Sequence, residues 1–231
     1  NRVPAAAGDV VMAMVTDRYL SSDRVGIRAD LATVASWLGI HAPIPRGEIA
    51  GVSIDTRTLQ AGNLFVALRG PHHDGHHHLA QAAAAGAVAA IVEQVVDHPL
   101  PQLLVVDTHQ ALTEMARQWR IHCATPIIAV TGSNGKTTVK EMCASIMGQM
   151  GRCWATPGNL NNEIGVPLTL LQLEATDECA VIEMGANHAG EIKRLTAVTQ
   201  PQVALITNAS TAHLAGFGSL EGVAHAKAEI Y

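Results

Sequence analysis

The apolar residues Val139, Met142, Cys143, Ile146, Met147 and Met150 recur at i, i+3, i+4, i+7, i+8 and i+11, which is one face of an α-helix. Just before them, Ile127–Val130 is an unbroken apolar run of strand length, joined to that helix by a glycine-containing loop. The same alternation continues downstream. Ala180–Met184 and Val203–Thr207 read as strands, with a helical segment near Ala189–Val198 between them. Upstream, Leu31, Val34, Ala35 and Leu38 have helical spacing that stops at Gly39, a suitable C-cap. Gly51–Arg57 and Asn63–Leu68 read as short strands separated by the Ala61-Gly62 turn. Leu79–Ala85 is an alanine-rich helix broken by Gly86, Ala87–Val92 and Leu103–Val106 are strands, and Ala111–Ile121 is a helix. Strand–loop–helix alternation of this kind predicts an α/β fold with a mostly parallel sheet covered by helices. In residues 1–29 only Val10–Val15 stands out, as a strand or half a helix, and this extension stays unassigned.

Composition narrows the function classes. The 231 residues are 48% hydrophobic but only 3% aromatic, so the core must be built from Ala, Val, Leu and Ile. Net charge is −5 and no Lys/Arg run stands out, which disfavours a nucleic-acid-binding face. Cys123, Cys143, Cys153 and Cys179 form no CxxC pair and are expected to be reduced thiols. The small-apolar stretch Ala82–Val92 is too short to span a bilayer, and no basic segment precedes Val10–Val15 as a secretory leader would require. A cytoplasmic protein with no membrane partner is expected.

The chemistry centres on Ile127-Ile128-Ala129-Val130-Thr131-Gly132-Ser133-Asn134-Gly135-Lys136-Thr137-Thr138. A strand runs into a glycine turn, and a Lys-Thr pair opens an amphipathic helix. Gly132 and Gly135 let backbone N–H groups curl around an anion, and the helix N-terminus adds partial positive charge. Lys136 can reach β/γ-phosphates and the Thr137 hydroxyl can ligate Mg²⁺. The match to GxxxxGK[ST] is incomplete, since Val130 stands where the pattern has glycine.

Other candidates are weaker by spacing alone. Glu183 interrupts an apolar strand at its C-terminal end, placed either to hold Mg²⁺ or simply to reach solvent. His213 and Lys227 are not promoted by their spacing. The cluster His72-His73-Asp74-Gly75-His76-His77-His78 invites a zinc reading, but it looks like a turn entering a helix and has no second ligand cluster.

At this point five blocks resemble the Mur ligases, the ATP-dependent amide-forming ligases of bacterial cell-wall precursor synthesis. They are Asp55-Thr56-Arg57 with Ala61–Leu68; Thr131–Thr138; Gly158–Pro167; Ile182–His188 with Gly190-Glu191-Ile192; and Ala212–Ser219 with Ala226–Ile230. Together they span roughly residues 30–231, in order. Within the family the chain is most similar to the members that add D-alanyl-D-alanine to UDP-N-acetylmuramoyl-tripeptide. The resemblance implies that Gly132, Ser133, Asn134, Gly135, Lys136, Thr137 and Thr138 bind ATP. It implies that Thr137 and Glu183 hold one Mg²⁺, that His213 ligates a second, and that Lys227 is carbamylated to become an oxygen ligand. Asp55, Thr56 and Arg57 would lie against the UDP-sugar, with Asn161 and Asn162 helping. Three departures are small: Thr56 and Ser133 exchange one hydroxyl residue for another, and Ala228 stands where glycine is usual.

The implied organisation is an N-terminal extension over 1–29, a small α/β UDP-muramoyl-peptide-binding domain over 30–106, and an incomplete P-loop ATPase domain over 107–231. The family's C-terminal domain is absent, so a fragment inactive by itself, and monomeric, is expected. The implied reaction passes through an acyl phosphate that the D-alanyl-D-alanine amine attacks, with Lys136 and metal ions neutralising phosphate charge. Two alternatives are a ligase adding the third amino acid to the UDP-muramoyl-dipeptide, and a non-catalytic nucleotide-binding protein.

Overall fold

The computed structural model describes residues 24–210 and 214–231. Val10–Val15 and His213 therefore lie outside the described residues. The described residues divide into two compact units, one formed by Val25–Ala124 with Glu163–Glu174, the other by Thr125–Asn162 and Ala175–Tyr231 together with Arg24.

The first unit opens with strand β1 (Arg28–Asp30), helix α1 (Leu31–Trp37) and strand β2 (Glu48–Ala50), β1 and β2 pairing antiparallel. Asp30 ends β1 and caps α1, its carboxylate accepting the Thr33 N–H at 2.6 Å. Helix α1 stops before Gly39, whose φ of +67° is the left-handed conformation expected of a C-cap glycine. Strands β3 (Val52–Ser53), β4 (Leu64–Val66), β7 (Ala89–Val92) and β8 (Gln102–Leu104) form an all-parallel sheet in that order. A small antiparallel pair, β5 (Arg69–Gly70) and β6 (His73–Asp74), and helix α2 (Leu79–Ala84) lie between β4 and β7 in the chain. Phe65, Ala67, Leu79, Ala82, Ala90 and Val92 form one buried cluster, as a core poor in aromatics requires. Strand β8 is shorter than its apolar run: Val106, expected inside it, is 99% exposed because the chain turns there towards the Asp107 cap of helix α3 (Thr108–Cys123). The Asp107 carboxylate accepts N–H groups from His109 and Gln110. The tail of this unit is helix α5 (Gly165–Leu171), far along the chain, which packs on α3; Trp119 Nε1 donates to Leu173 O at 2.9 Å.

The second unit holds a parallel sheet in the order β10 (Cys153–Ala155), β11 (Cys179–Glu183), β9 (Ile127–Thr131), β12 (Val203–Ile206). Helix α4 (Lys136–Met147) follows β9, helix α6 (Glu191–Thr199) links β11 to β12, and α7 (Leu214–Phe217) and α8 (Leu220–Ala228) close the chain. The apolar stripe on α4 is only partly used. Its buried positions are Lys140 and Ala144, flanked by the half-buried Val139 and Cys143, whereas Met142, Ile146 and Met150 are 60%, 66% and 70% exposed. The helix settles on the sheet along the edge of its stripe, because contact with β10 and β11 is made on the side that carries Lys140 and Ala144. Among the described residues no helix is long and apolar enough to cross a membrane.

Candidate functional site

The phosphate loop sits where β9 hands over to α4. Val130 is fully buried and still paired in the sheet, opposite Glu183 on β11 and Leu205 on β12, so no glycine is needed there. The turn starts at Gly132, whose φ is +146°; a Cβ on this residue would sit 2.0 Å from Thr207 Oγ1. Gly135, at φ +77°, is the N-cap of α4. Both positions demand glycine for backbone reasons.

The loop is stitched to the segment after β12. Ser133 N–H donates to Asn208 O at 3.0 Å and Asn134 N–H to Asn208 Oδ1 at 3.1 Å. Thr207 Oγ1 and Asn208 Nδ2 donate to Asn134 O, and Ser210 N–H donates to Ser133 Oγ. With those two loop N–H groups engaged, the donors for an anion are the unpaired N–H groups of the first turn of α4. Sequence reasoning did not single out Thr207, Asn208 and Ser210; the signal was the polar run that follows the apolar strand Val203–Ile206.

Lys136 curls over the loop, its Nζ 2.9 Å from Gly132 O and 3.5 Å from Ser133 O. Thr137 Oγ1 donates to Glu183 Oε2 at 2.9 Å, and Asn161 Nδ2 donates to Glu183 Oε1 at 2.8 Å. Thr138, next on α4, is exposed. The Glu183 register opposite Val130 carries its carboxylate to the mouth of the loop. Glu183 is 2% exposed, and among the described residues its carboxylate partners are a neutral hydroxyl and a neutral amide. A buried carboxylate without a cation beside it is costly, and a hard divalent cation would relieve that cost. The Thr137 hydroxyl and Glu183 carboxylate are oxygen donors of the kind Mg²⁺ takes beside phosphate oxygens, so these residues fit the ion. No group of three or more His, Cys, Asp or Glu suited to a metal occurs among the described residues. Mg²⁺ held by one carboxylate plus substrate phosphates needs none.

Lys227, on α8, is 2% exposed, with its Nζ 5.3 Å above the Phe217 ring. Burial, then the nearby Lys136 charge, pushes its pKa below the ordinary lysine value, while Glu191 and Glu229 act the other way. The surroundings are braced. Glu229 accepts the Gly190 and Lys193 N–H groups at the start of α6, and Glu191 accepts from Asn187 N–H and His188 Nδ1.

The first unit carries its own cavity, of about 600 Å³, lined by Asp55, Thr56, Arg57, Phe65, His73, His78 and Gln81 with Ile54. Arg57 forks onto Asp55, with Nε 2.9 Å from Oδ1 and Nη2 2.5 Å from Oδ2. The Arg57 side chain and backbone N–H together hold the Asp55 pKa down at about 2. The histidine run separates into distinct parts. His76 is buried, its Nδ1 2.6 Å from Asp74 Oδ1 while its Nε2 accepts the Glu93 N–H, a core histidine with both nitrogens engaged. His73 and His78 stack at 4.9 Å on the cavity wall, and His78 Nδ1 lies 2.6 Å from Gln81 Oε1. Asn161, expected against the sugar nucleotide, spends its amide on Glu183, and Asn162 is exposed.

Residues 130–231 match the Mur ligase middle domain, and residues 48–120 match the Mur ligase family catalytic domain. The chain is 50% identical over 195 residues to a UDP-N-acetylmuramoyl-tripeptide–D-alanyl-D-alanine ligase of Escherichia coli K12, covering 81% of this chain and 43% of that protein. Among solved structures it is similar to MurF from Acinetobacter baumannii, with a TM-score of 0.85 and 40% identity over 90% of this chain and 47% of the other. It is also similar to MurF ligase from Thermotoga maritima in complex with ADP, with a TM-score of 0.72 and 34% identity over 78% of this chain and 42% of the other. The chain thus spans less than half the length of the curated relatives it matches.

Proposed function

This chain belongs to the Mur ligase family, and from that premise we propose that it is the substrate- and ATP-binding part of a cytoplasmic ligase joining D-alanyl-D-alanine to UDP-N-acetylmuramoyl-tripeptide. The observation that carries this reading is the convergence of Thr137 and Asn161 on the buried Glu183 carboxylate at the mouth of the phosphate loop. A protein that only bound nucleotide could keep the loop, and even a carboxylate for its Mg²⁺, but has no need of Glu183, His213 and Lys227 together. The D-alanyl-D-alanine specificity is supported by the 50% identity to a ligase of that name.

In this reading the N–H groups at the start of α4 and the Lys136 ammonium hold the ATP phosphates in line with the substrate carboxylate. Lys136 must leave Gly132 O to do so, a short swing of a flexible side chain. The γ-phosphoryl passes to the terminal carboxylate of the UDP-linked tripeptide. The dipeptide amine then attacks the acyl phosphate, and phosphate departs as the amide forms. Mg²⁺ bound by Thr137 and Glu183 would neutralise phosphate charge, and His213 with a carbamylated Lys227 would hold a second ion. Carbamylation needs a neutral amine, and burial of Lys227 favours one. Asp55, Thr56 and Arg57, in the cavity of the first unit, would read the UDP portion.

The test is an ADP-release assay on a full-length ligase containing this chain, with each UDP-muramoyl peptide offered against each amine. Turnover with the tripeptide and D-alanyl-D-alanine is expected, and Lys136→Ala should abolish it. Turnover only with the dipeptide and a single amino acid would replace this reading with the third-residue ligase.

A further inference from the structure

Lys140 is an unusual residue to bury. It is 1% exposed, one of the largest fully buried side chains, and lies one turn beyond Lys136 and Thr137 on α4. Its Nζ donates to Thr156 O at 2.8 Å and pairs with Glu141 Oε1 at 2.8 Å. Taking an ammonium group out of water is costly, and an apolar side chain of similar volume would fill the space without that cost. Something other than packing therefore explains the lysine.

The path of hydrogen bonds from Lys140 indicates what. Thr156, 2% exposed, follows β10, and its N–H donates to Val181 O at 3.0 Å. Its Oγ1 accepts the Glu183 N–H at 2.8 Å. The Glu183 carboxylate in turn accepts from Thr137 Oγ1. The ring thus runs from α4 through Lys140 to Thr156, on to the Glu183 backbone and side chain, and back through Thr137 to the same turn of α4. Both ends of Glu183 are tied to the helix that begins with the phosphate loop.

We propose that Lys140 is a positioning residue for the Glu183 carboxylate, acting through Thr156 to fix the distance between that carboxylate and the phosphate loop. Lys140 itself touches no phosphate and no metal. This inference rests on the reading of Glu183 as a Mg²⁺ ligand, and the test separates the two.

The variants Lys140→Met, Thr156→Val, Thr156→Ser and Glu183→Gln are made in a full-length ligase containing this chain. Two quantities are read: hydrogen exchange of the Glu183 amide without metal or nucleotide, and the Mg²⁺ concentration giving half-maximal ATP binding. Lys140→Met and Thr156→Val should speed exchange at Glu183 and raise the Mg²⁺ requirement by about 10- to 100-fold, the range for residues that orient a metal ligand. Thr156→Ser, which keeps the hydroxyl, should restore both. Should Lys140→Met fail to fold, Lys140→Leu is read in its place, because Thr156→Val leaves the bond from Lys140 Nζ to Thr156 O intact and tests only the link from Thr156 Oγ1 to the Glu183 N–H. Unchanged exchange and Mg²⁺ requirement in Lys140→Met and Thr156→Val, with Glu183→Gln shifting the Mg²⁺ requirement, overturns the role of Lys140 alone. An unchanged Mg²⁺ requirement in Glu183→Gln overturns the metal-ligand reading instead.

Discussion

Thr137 and Glu183 stand 46 positions apart and meet at 2.9 Å, hydroxyl to carboxylate, across the junction of α4 and β11. That contact, with the burial of Glu183, excludes a carboxylate turned out to solvent. A strand-end carboxylate that merely reached solvent would be exposed and turned away from the loop; this one is buried and held at the loop's mouth.

Replacing Thr137 by Val should leave a buried Glu183 oxygen without its donor. A loss of about 1–3 kcal/mol is expected in chemical denaturation of the metal-free protein, and Thr137→Ser should recover most of it. Equal stability of Val and Ser variants would show that the hydroxyl contributes nothing to holding the carboxylate.

Gly132→Ala meets two obstacles, a φ of +146° and a Cβ position 2.0 Å from Thr207 Oγ1. A destabilisation of about 2–4 kcal/mol is expected from strain and overlap together. Thermal melting measures it. Adding Thr207→Ala should relieve the overlap but not the backbone strain, so only part of the loss should return.

Lys227 gives a pH signature. Its folded-state pKa lies below the ordinary value of 10.5, so between the two the unfolded chain binds more protons. Stability should therefore rise as pH climbs through the folded value towards 10.5. Relative to Lys227→Met, the wild type should gain in melting temperature over the alkaline range, and a flat difference would contradict the shift. With ¹³C-labelled bicarbonate, the wild type should show a carbamate resonance that Lys227→Arg lacks.

In the cavity of the first unit, Asp55 should titrate at about 2 by carboxyl NMR, because Arg57 supplies both side-chain and backbone donors. Its folded pKa is depressed, so any stability it contributes is present above 3.8 and is lost as pH falls towards 2. Arg57→Ala should return the midpoint towards 3.8, and should weaken UDP binding if this wall reads the nucleotide.

The phosphate loop, the glycine cap of α1 and most of the strands follow from local residue patterns. These depend on residues within a few positions of one another: Gly132 and Gly135 in the turn, and Gly39 after α1. Tertiary structure alone decided what depends on strand register and helix docking. Register set Glu183 opposite Val130, and so brought to the loop a carboxylate that the sequence left open between a Mg²⁺ ligand and an acid reaching solvent. It also explains Val130 itself, which the loop pattern would have as glycine but which is still inside the sheet. Docking of α4 along the edge of its stripe buried Lys140 and left Met142, Ile146 and Met150 in the open, which helical periodicity could not foretell because it records polarity and not what lies across the contact. Helix α5 makes the same point: no local signal joins residues 165–171 to α3, because that attachment is made by side chains meeting in space.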